Sequence, residues 1–185
     1  VMDRFGQTKP KILVTGKSTV YNQKAIDLTK RVNSFLADLL SIQTVIVYDG
    51  PCPSLATQSI ARTGCQTLSF QEITNGTAVL AFEKTSFNAP GFILYSSGTT
   101  GMPKCIVHSQ GAALIQLAKE HRYHVDIRKE NRIFFQTTCG WMMWNWLIAS
   151  LASQATIVTY DGSPFVRGAS TLWSLCEEDN WHVFG

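Results

Sequence analysis

The sequence is poor in charged residues and lacks the cysteine spacing of a disulfide framework. Only 16% of its 185 residues are charged, and the formal net charge is +3. Because the basic residues are scattered rather than gathered in blocks, we expect no nucleic-acid partner. The five cysteines are an odd number with no Cys-x-x-Cys pair. That usage fits a reducing compartment better than a set of disulfides, and we expect the cytosol.

Charge is missing altogether from residues 133–160. This run is long enough to cross a bilayer. It is interrupted by Gly140, Asn145, Ser150, Ser153 and Gln154. Its ends, 133–135 and 156–160, are β-branched or aromatic and typical of strands, so we interpret the run as strand, buried helix, strand and expect no membrane span. The chain also opens without a charged-then-apolar leader, and we expect no secretory signal.

Strand-like and helix-like stretches alternate along the chain. The predicted strands are 11–14, 44–48, 67–70, 92–95, 105–108, 132–137, 156–160 and 181–184. The predicted helices are 22–39 with Asn22 as its cap, 71–73, 110–124, 141–153 and 169–179. An apolar fraction of 45% is typical of a globular protein. The alternation predicts an α/β fold with a largely parallel sheet.

The decapeptide at 95–104, Tyr-Ser-Ser-Gly-Thr-Thr-Gly-Met-Pro-Lys, is the main candidate for a functional site. It follows the apolar run 92–95, which predicts a buried strand. A strand that opens into a loop of glycines and hydroxyls can turn several N–H and O–H groups toward one anion, and the lysine adds a positive charge. The composition alone also fits an ordinary turn. The order of the residues favours a phosphate-binding loop.

Neither glycine–lysine segment of the chain fits the Walker A phosphate loop. For Gly16-Lys17-Ser18-Thr19, the first glycine of that motif falls on Lys11, so we interpret the segment as a plain turn. In 98–104 only two residues separate the glycines, and Cys105 rather than Ser or Thr follows the lysine. A P-loop kinase or GTPase is therefore disfavoured.

The decapeptide resembles the phosphate-loop signature of the acyl-adenylate-forming, or AMP-binding, enzymes. That signature reads aromatic, two small residues, Gly, Ser or Thr, Thr, Gly, any residue, Pro, Lys, and every position matches. The resemblance implies that ATP phosphates are bound by Ser96, Ser97, Gly98, Thr99, Thr100, Gly101 and Lys104. Thr100 or a neighbouring hydroxyl could also contact the Mg²⁺ of Mg-ATP, since that ion prefers hard oxygen ligands.

A second resemblance concerns residues 136–145, Gln-Thr-Thr-Cys-Gly-Trp-Met-Met-Trp-Asn. On composition alone this segment fits a packed core helix. It also resembles the acyl-pocket region of short-chain acyl-CoA synthetases, which implies that Trp141, Met142 and Met143 line the pocket. In acetyl-CoA synthetases a small residue and Thr-Gly-His follow the Gly-Trp pair. The departure here, together with 107–111 and 160–164, resembles the acetoacetyl-CoA synthetases.

The resemblance implies a ligase that joins acetoacetate to CoA through an acyl-adenylate and converts ATP to AMP and pyrophosphate. Its partners would be small molecules: acetoacetate, ATP and CoA. Two alternatives stay open, namely another short-chain synthetase, for acetate or propionate, and a non-catalytic fragment that binds nucleotide or a partner subunit.

Several parts of such an enzyme are missing from the sequence. There is no aromatic-Gly-x-Thr-Glu segment, no Thr-Gly-Asp for the ribose and no carboxy-terminal domain with its catalytic lysine. We expect residues 1–185 to be an incomplete part of the amino-terminal AMP-binding domain, inactive by itself, and we assign no catalytic residue. His108 is interpreted as a packing or substrate-contact residue. The other histidines show no metal-ligand spacing, and no protein metal site is expected.

Overall fold

The computed structural model describes residues 1–96 and 101–185. The described chain forms two compact units. One contains residues 1–82 and the described part of 97–105, and the other contains residues 83–96 and 106–185.

The first unit is built on a three-stranded parallel sheet. Its elements in chain order are α1 (Met2–Thr8), β1 (Ile12–Gly16), β2 (Ser18–Tyr21), β3 (Lys24–Asp27), α2 (Thr29–Asp38), β4 (Thr44–Tyr48), β5 (Gln66–Ser69) and α3 (Phe70–Thr74). The β-branched strand β4 lies in the centre, with Val45 opposite Leu13 of β1 and Thr67 of β5. Helix α2 packs on the sheet through Val32 and Leu36, which lie in one buried cluster with Val45.

The prediction of one long helix from Asn22 is wrong. Strands β2 and β3 form an antiparallel hairpin, and α2 begins only at Thr29. Asn22 and Gln23 have φ of 47° and 63°, the left-handed values that a two-residue hairpin turn requires and that asparagine tolerates well. The carboxylate of Asp27 then accepts hydrogen bonds from the backbone N–H (2.8 Å) and hydroxyl (2.7 Å) of Thr29, which fixes the start of α2.

The segment 16–19 is also not the plain turn that we expected. Gly16 ends β1 and Ser18 begins β2, with Lys17 as the link between the two strands. The fully buried hydroxyl of Ser18 accepts a hydrogen bond from the backbone N–H of Cys52 at 3.0 Å. Lys17 Nζ lies 2.6 Å from Asp49 Oδ1. These contacts indicate that residues 16–19 have a structural role, as the connection between β1 and β2.

The second unit contains a two-stranded sheet and a second parallel sheet. Its elements in chain order are β6 (Pro90–Tyr95), β7 (Cys105–Ser109), α4 (Gln110–Lys119) with a following π-helical turn (Glu120–His124), β8 (Arg132–Phe134), α5 (Met142–Ala149) with a following 3₁₀ turn (Ser150–Ser153), β9 (Thr156–Val158), α6 (Thr171–Glu178) and β10 (Val183–Phe184). Strand β8 pairs in parallel with β10 on one side and β9 on the other.

Helices cover both faces of this second sheet. Ile133 of β8 lies in a buried cluster with Trp146 and Leu147 of α5. The next residue, Phe134, points to the opposite face, as the two-residue period of a strand requires, and its ring stacks on Trp181 at 4.4 Å. On that face, Phe184 stacks on Trp173 of α6 at 4.6 Å. The unit therefore has the helix–sheet–helix layering of an α/β fold.

The predicted fold class is confirmed, and the charge-free run 133–160 is strand, helix, strand as expected. In the described residues no helix is long and apolar enough to cross a membrane. Strand β6 is less buried than its sequence suggests, since Ile93 is 43% exposed. The physical reason is its sheet, in which β6 pairs with β7 alone among the described strands.

Candidate functional site

The decapeptide lies between strands β6 and β7, where the sequence places it. Four of the predicted phosphate ligands, Ser97, Gly98, Thr99 and Thr100, lie outside the described residues. In the described arm, Gly101 has φ of +150°, a backbone conformation that residues with a Cβ rarely adopt, although a Cβ there would meet no atom within 4 Å. Glycine is therefore required at this position by the backbone angle and not by crowding.

The side chain of Gln7 holds the end of this arm. Its Nε2 donates a hydrogen bond to the carbonyl oxygen of Pro103 at 2.8 Å, and its Oε1 accepts one from Cys105 Sγ at 3.4 Å. The two contacted residues flank Lys104. All these residues belong to the first unit. No local sequence pattern predicts this contact, because Gln7 lies 96 residues before Pro103, in a helix that the pattern of residues does not indicate.

The segment before β6 is fastened to the start of α4. The side chain of Gln110 is hydrogen-bonded to Thr85 Oγ1 (2.8 Å) and to the carbonyl oxygen of Pro90 (3.3 Å). The hydroxyl of Ser109 accepts a hydrogen bond from the N–H of Ala112 at 3.4 Å and so caps α4. His108 lies exposed on β7. These contacts fix where the strand leading into the decapeptide begins.

The predicted acyl-pocket segment lies at the carboxyl edge of the second sheet. Residues 135–141 leave the end of β8 toward α5, and residues 159–170 leave the end of β9 toward α6. Because α5 and α6 cover opposite faces of the sheet, the chain turns to opposite sides after these neighbouring strands. In open α/β sheets such a switch point, outside the carboxyl ends of the strands, is the usual place for a ligand.

The three predicted pocket residues differ in burial. Trp141 is 71% exposed and Met142 is 53% exposed, at the first turn of α5. Met143 is partly buried and packs against the cluster that contains Ile133 and Trp146. The core-helix interpretation therefore describes the later part of α5, whereas Trp141 and Met142 are available to contact another molecule.

His121, to which the sequence pattern assigned no role, connects α4 to α5. It is 1% exposed, its Nε2 lies 2.9 Å from the carbonyl oxygen of Trp146, and its ring meets the Trp146 ring edge-on at 4.8 Å. Burial lowers the pKa of this imidazole, although the hydrogen bond to Trp146 opposes the shift. Through its contacts with Trp146, the neutral imidazole stabilises the position of α5, the helix that carries Met142 and Met143.

Charged groups near the sheet are used in structural contacts. The guanidinium of Arg132, on β8, donates to both carboxylate oxygens of Asp179 at 2.6 to 3.1 Å. Trp181 Nε1 donates to the same carboxylate at 2.7 Å. The Arg132 hydrogen bonds, helped by Trp181, lower the pKa of Asp179. In the part of the chain that the structure describes, no group of three or more His, Cys, Asp or Glu side chains could hold a metal ion.

Comparison with known proteins identifies the family to which this chain belongs. Residues 2–185, nearly the whole chain, match the sequence model of a family described as AMP-binding enzyme. The chain belongs to the AMP-binding enzyme family. The family resemblance of the decapeptide is thus confirmed over the full sequence and not for the loop alone.

Relatives in this family share a common name. The chain is 42% identical over its whole length to acetoacetyl-coenzyme A synthetase of Rhizobium meliloti (strain 1021) and 37% identical to acetoacetyl-CoA synthetase of Gallus gallus. In both comparisons it spans 28% of the relative's length. Its fold matches a solved structure, acetoacetyl-CoA synthetase from Streptomyces lividans, with a TM-score of 0.88 and 37% identity. That match covers 100% of this chain and 27% of the other.

Proposed function

We propose that this chain carries the ATP phosphate loop and part of the acyl pocket of an AMP-forming ligase that joins acetoacetate to CoA. The observation that carries the proposal is the whole-chain likeness to acetoacetyl-CoA synthetases, in sequence and in fold. In this proposal residues 1–185 are a portion of the amino-terminal AMP-binding domain. By "full-length enzyme" we mean a protein that contains this chain at the length of those relatives.

In the first step the carboxylate of acetoacetate attacks the α-phosphorus of Mg-ATP and pyrophosphate leaves. The carboxylate is ionised at neutral pH, so the step requires no general base, and we assign none to the exposed His108. Acceleration comes from alignment of the two anions and from neutralisation of phosphate charge. In the second step the thiol of CoA attacks the acyl carbon of acetoacetyl-AMP and AMP leaves.

The loop residues hold the phosphates in this proposal. The hydroxyls of Ser96, Ser97, Thr99 and Thr100 donate to the β- and γ-phosphate oxygens, and Gly98 and Gly101 let backbone amides come close. Lys104 contributes a point charge. Mg²⁺ would arrive with ATP, and the hydroxyl of Thr100 or a neighbouring loop residue would contact it, in keeping with the preference of this ion for oxygen.

The acyl pocket is proposed at the switch point of the second sheet. Trp141 and Met142 begin α5 there with exposed side chains, and Met143 is anchored on the core behind them. An adaptable thioether beside a flat indole suits a four-carbon keto acid better than a tight acetate site would. All five cysteines are free thiols, which favours a reducing compartment, and we propose the cytosol.

The test is acid-dependent exchange of pyrophosphate into ATP by the full-length enzyme, with acetoacetate, acetate and propionate in parallel. We expect acetoacetate to have the highest kcat/KM. Lys104→Ala should slow the exchange roughly 10- to 100-fold while acetoacetate binding changes less, because a transition-state charge contact is lost. Lys129→Ala, which removes an exposed lysine from a turn outside the motif, is the matched control. Preference for acetate or propionate, or an unchanged rate for Lys104→Ala, would count against the proposal.

The chain by itself provides a second test. Since the adenine, ribose and carboxy-terminal lysine segments are not in the sequence, we expect the 185 residues alone to form no AMP from ATP, acetoacetate and CoA. Acetoacetate- and CoA-dependent AMP formation by this chain would show that the missing segments are dispensable.

A further inference from the structure

We propose that Gln7 is a positioning residue for the ATP loop: its amide holds the backbone carbonyl of Pro103 and the thiol of Cys105, the two residues that flank Lys104. The inference rests on the proposed function of the decapeptide and adds to it a residue from a different part of the chain. Gln7 is on α1, far from the loop in sequence, and it carries none of the motif's chemistry.

The contacts of the Gln7 amide are directional. The carbonyl oxygen of Pro103 can only accept, so the NH₂ group of Gln7 must face it, at 2.8 Å. The same NH₂ group donates to the carbonyl oxygen of Asp3, one turn back along α1. The amide oxygen is then turned toward the Cys105 thiol at 3.4 Å. One planar group is thus fastened to its own helix and to both neighbours of Lys104.

This arrangement bears on where the lysine charge can reach. A lysine side chain is long and flexible, and its ammonium acts as a point charge whose effect falls with distance. The position of the Lys104 backbone limits how far its ammonium can reach. Pro103 on one side has a fixed φ, and Cys105 on the other begins β7. The Gln7 amide ties the Pro103 carbonyl and the Cys105 thiol to α1, so it restricts the positions open to the Lys104 backbone between them.

The test compares Gln7→Met with the wild-type full-length enzyme. Methionine keeps the length of the side chain and a high helix propensity but removes all three hydrogen bonds of the amide, to Asp3, Pro103 and Cys105. Gln43→Met is the matched control, because Gln43 is an exposed glutamine of the same unit whose side chain makes no hydrogen bond to any described residue. Lys104→Ala serves as the reference for loss of the charge itself.

Two measurements are made on each variant. The first is the rate of tryptic cleavage after Lys104 in the native enzyme without ATP, followed by mass spectrometry. Loss of the hydrogen bonds to Pro103 and Cys105 should raise that rate roughly two- to tenfold. The second is the split of kinetic constants: KM for ATP should rise by a similar factor, whereas KM for acetoacetate should stay within experimental error, which also shows that the variant is folded.

The outcomes separate this inference from the function on which it rests. Unchanged cleavage in Gln7→Met would overturn the inference. So would faster cleavage with an unchanged KM for ATP, provided that Lys104→Ala still impairs ATP use. If Lys104→Ala leaves ATP use intact, the assignment of the loop itself is wrong. An effect of the same size in Gln43→Met would also overturn the inference, because it would assign the change to the general loss of a surface amide.

Discussion

Gly50 lies so close to Ser18 that a Cβ at Gly50 would be 2.3 Å from the Ser18 carbonyl oxygen. Its φ of +78° is also unfavourable for any residue with a side chain. A side chain at Gly50 would therefore be destabilising for two reasons, the clash with Ser18 and the strained φ. This glycine lies where the chain turns from β4 back toward the base of the β2–β3 hairpin. Gly64, in the same unit, has almost the same φ, +76°, but no atom within 4 Å of its Cβ position.

The two glycines give a matched pair of substitutions. Gly64→Ala should cost about 1–2 kcal/mol in free energy of unfolding, from backbone strain alone. Gly50→Ala should cost about 1–3 kcal/mol more, because the backbone of Ser18 must move. Urea denaturation of the full-length enzyme, followed by a probe in this unit, measures both. Equal effects would show that the contact with Ser18 relaxes without cost.

Asp27 should make stability depend on pH in the acidic range. Its carboxylate accepts hydrogen bonds from the hydroxyl and N–H of both Thr57 and Thr29, and these lower its pKa below the usual value of 3.8, with the Thr57 hydroxyl as the largest cause. The stabilisation is complete above the unfolded-state pKa and is lost as pH falls below it. Asp27→Asn should therefore lower the urea midpoint at pH 7 and reduce the loss of stability between pH 5 and pH 3.

The control for Asp27 is Asp38→Asn at the exposed end of α2. This change should leave the acidic dependence of the wild type intact. If both variants keep the same dependence on pH as the wild type, the hydrogen bonds to Asp27 do not shift its titration.

His121 should produce a second pH effect, nearer neutrality. Its pKa is lowered chiefly by burial, so the folded protein binds its proton less readily than the unfolded chain does. Stability is then complete above about pH 6.5, the usual pKa of histidine, and declines as pH falls below it. His121→Phe should remove this decline. It should also cost about 1–3 kcal/mol at pH 8, because the Trp146 carbonyl loses its partner.

The matched change for His121 is His124→Phe, in the same π-helical turn but exposed. Melting temperatures of the full-length enzyme at pH 5.5 and pH 8 are the measurement. A pH dependence that persists in His121→Phe and disappears in His124→Phe would contradict the assignment.

Substitution of Met142 should affect substrate binding, whereas substitution of Met143 should also lower the stability of the protein. Met142→Ala removes an exposed side chain at the proposed pocket, so we expect KM for acetoacetate to change several-fold with little change in melting temperature. Met143→Ala removes a partly buried side chain from the core cluster and should cost about 1–2 kcal/mol in addition. Initial rates with acetoacetate and acetate, beside thermal unfolding, measure both effects. Identical behaviour of the two variants would show that the side chains are not divided in this way.

The elements that sequence reasoning found are those with a clear local signal. Strand β4 is β-branched or aromatic at all five positions, and α5 is apolar between two strand-like runs. The hairpin β2–β3 was missed because the apolar residues of 25–39 fit a helical period across its end. The asparagine at position 22 is the contrary signal, since asparagine favours hairpin turns, and in the structure Asn22 and Gln23 have two adjacent positive φ angles that cannot belong to a helix.

Only part of the candidate site can be predicted from the sequence, for a similar reason. The phosphate loop is a contiguous motif, so its residues can be read in order. The contacts of Gln7 with Pro103 and of His121 with Trp146 join residues 96 and 25 positions apart. No local sequence pattern predicts these two contacts, because an exposed glutamine and a histidine on a helix are common in any sequence. The roles of the loop and pocket residues in binding stay predictions.

Because the strand order is β10-β8-β9, one edge of β8 stays unpaired until β10, the last of the described strands, has been synthesised. When β8 and β9 have left the ribosome, the other edge of β8 has no neighbour until Val183 and Phe184 follow, 25 residues after the end of β9 at Val158. During that interval an uncharged, apolar stretch presents an open strand edge, and such edges promote aggregation. The nascent protein is therefore expected to depend on a chaperone at this stage, and slow translation between residues 160 and 185 should lower its yield.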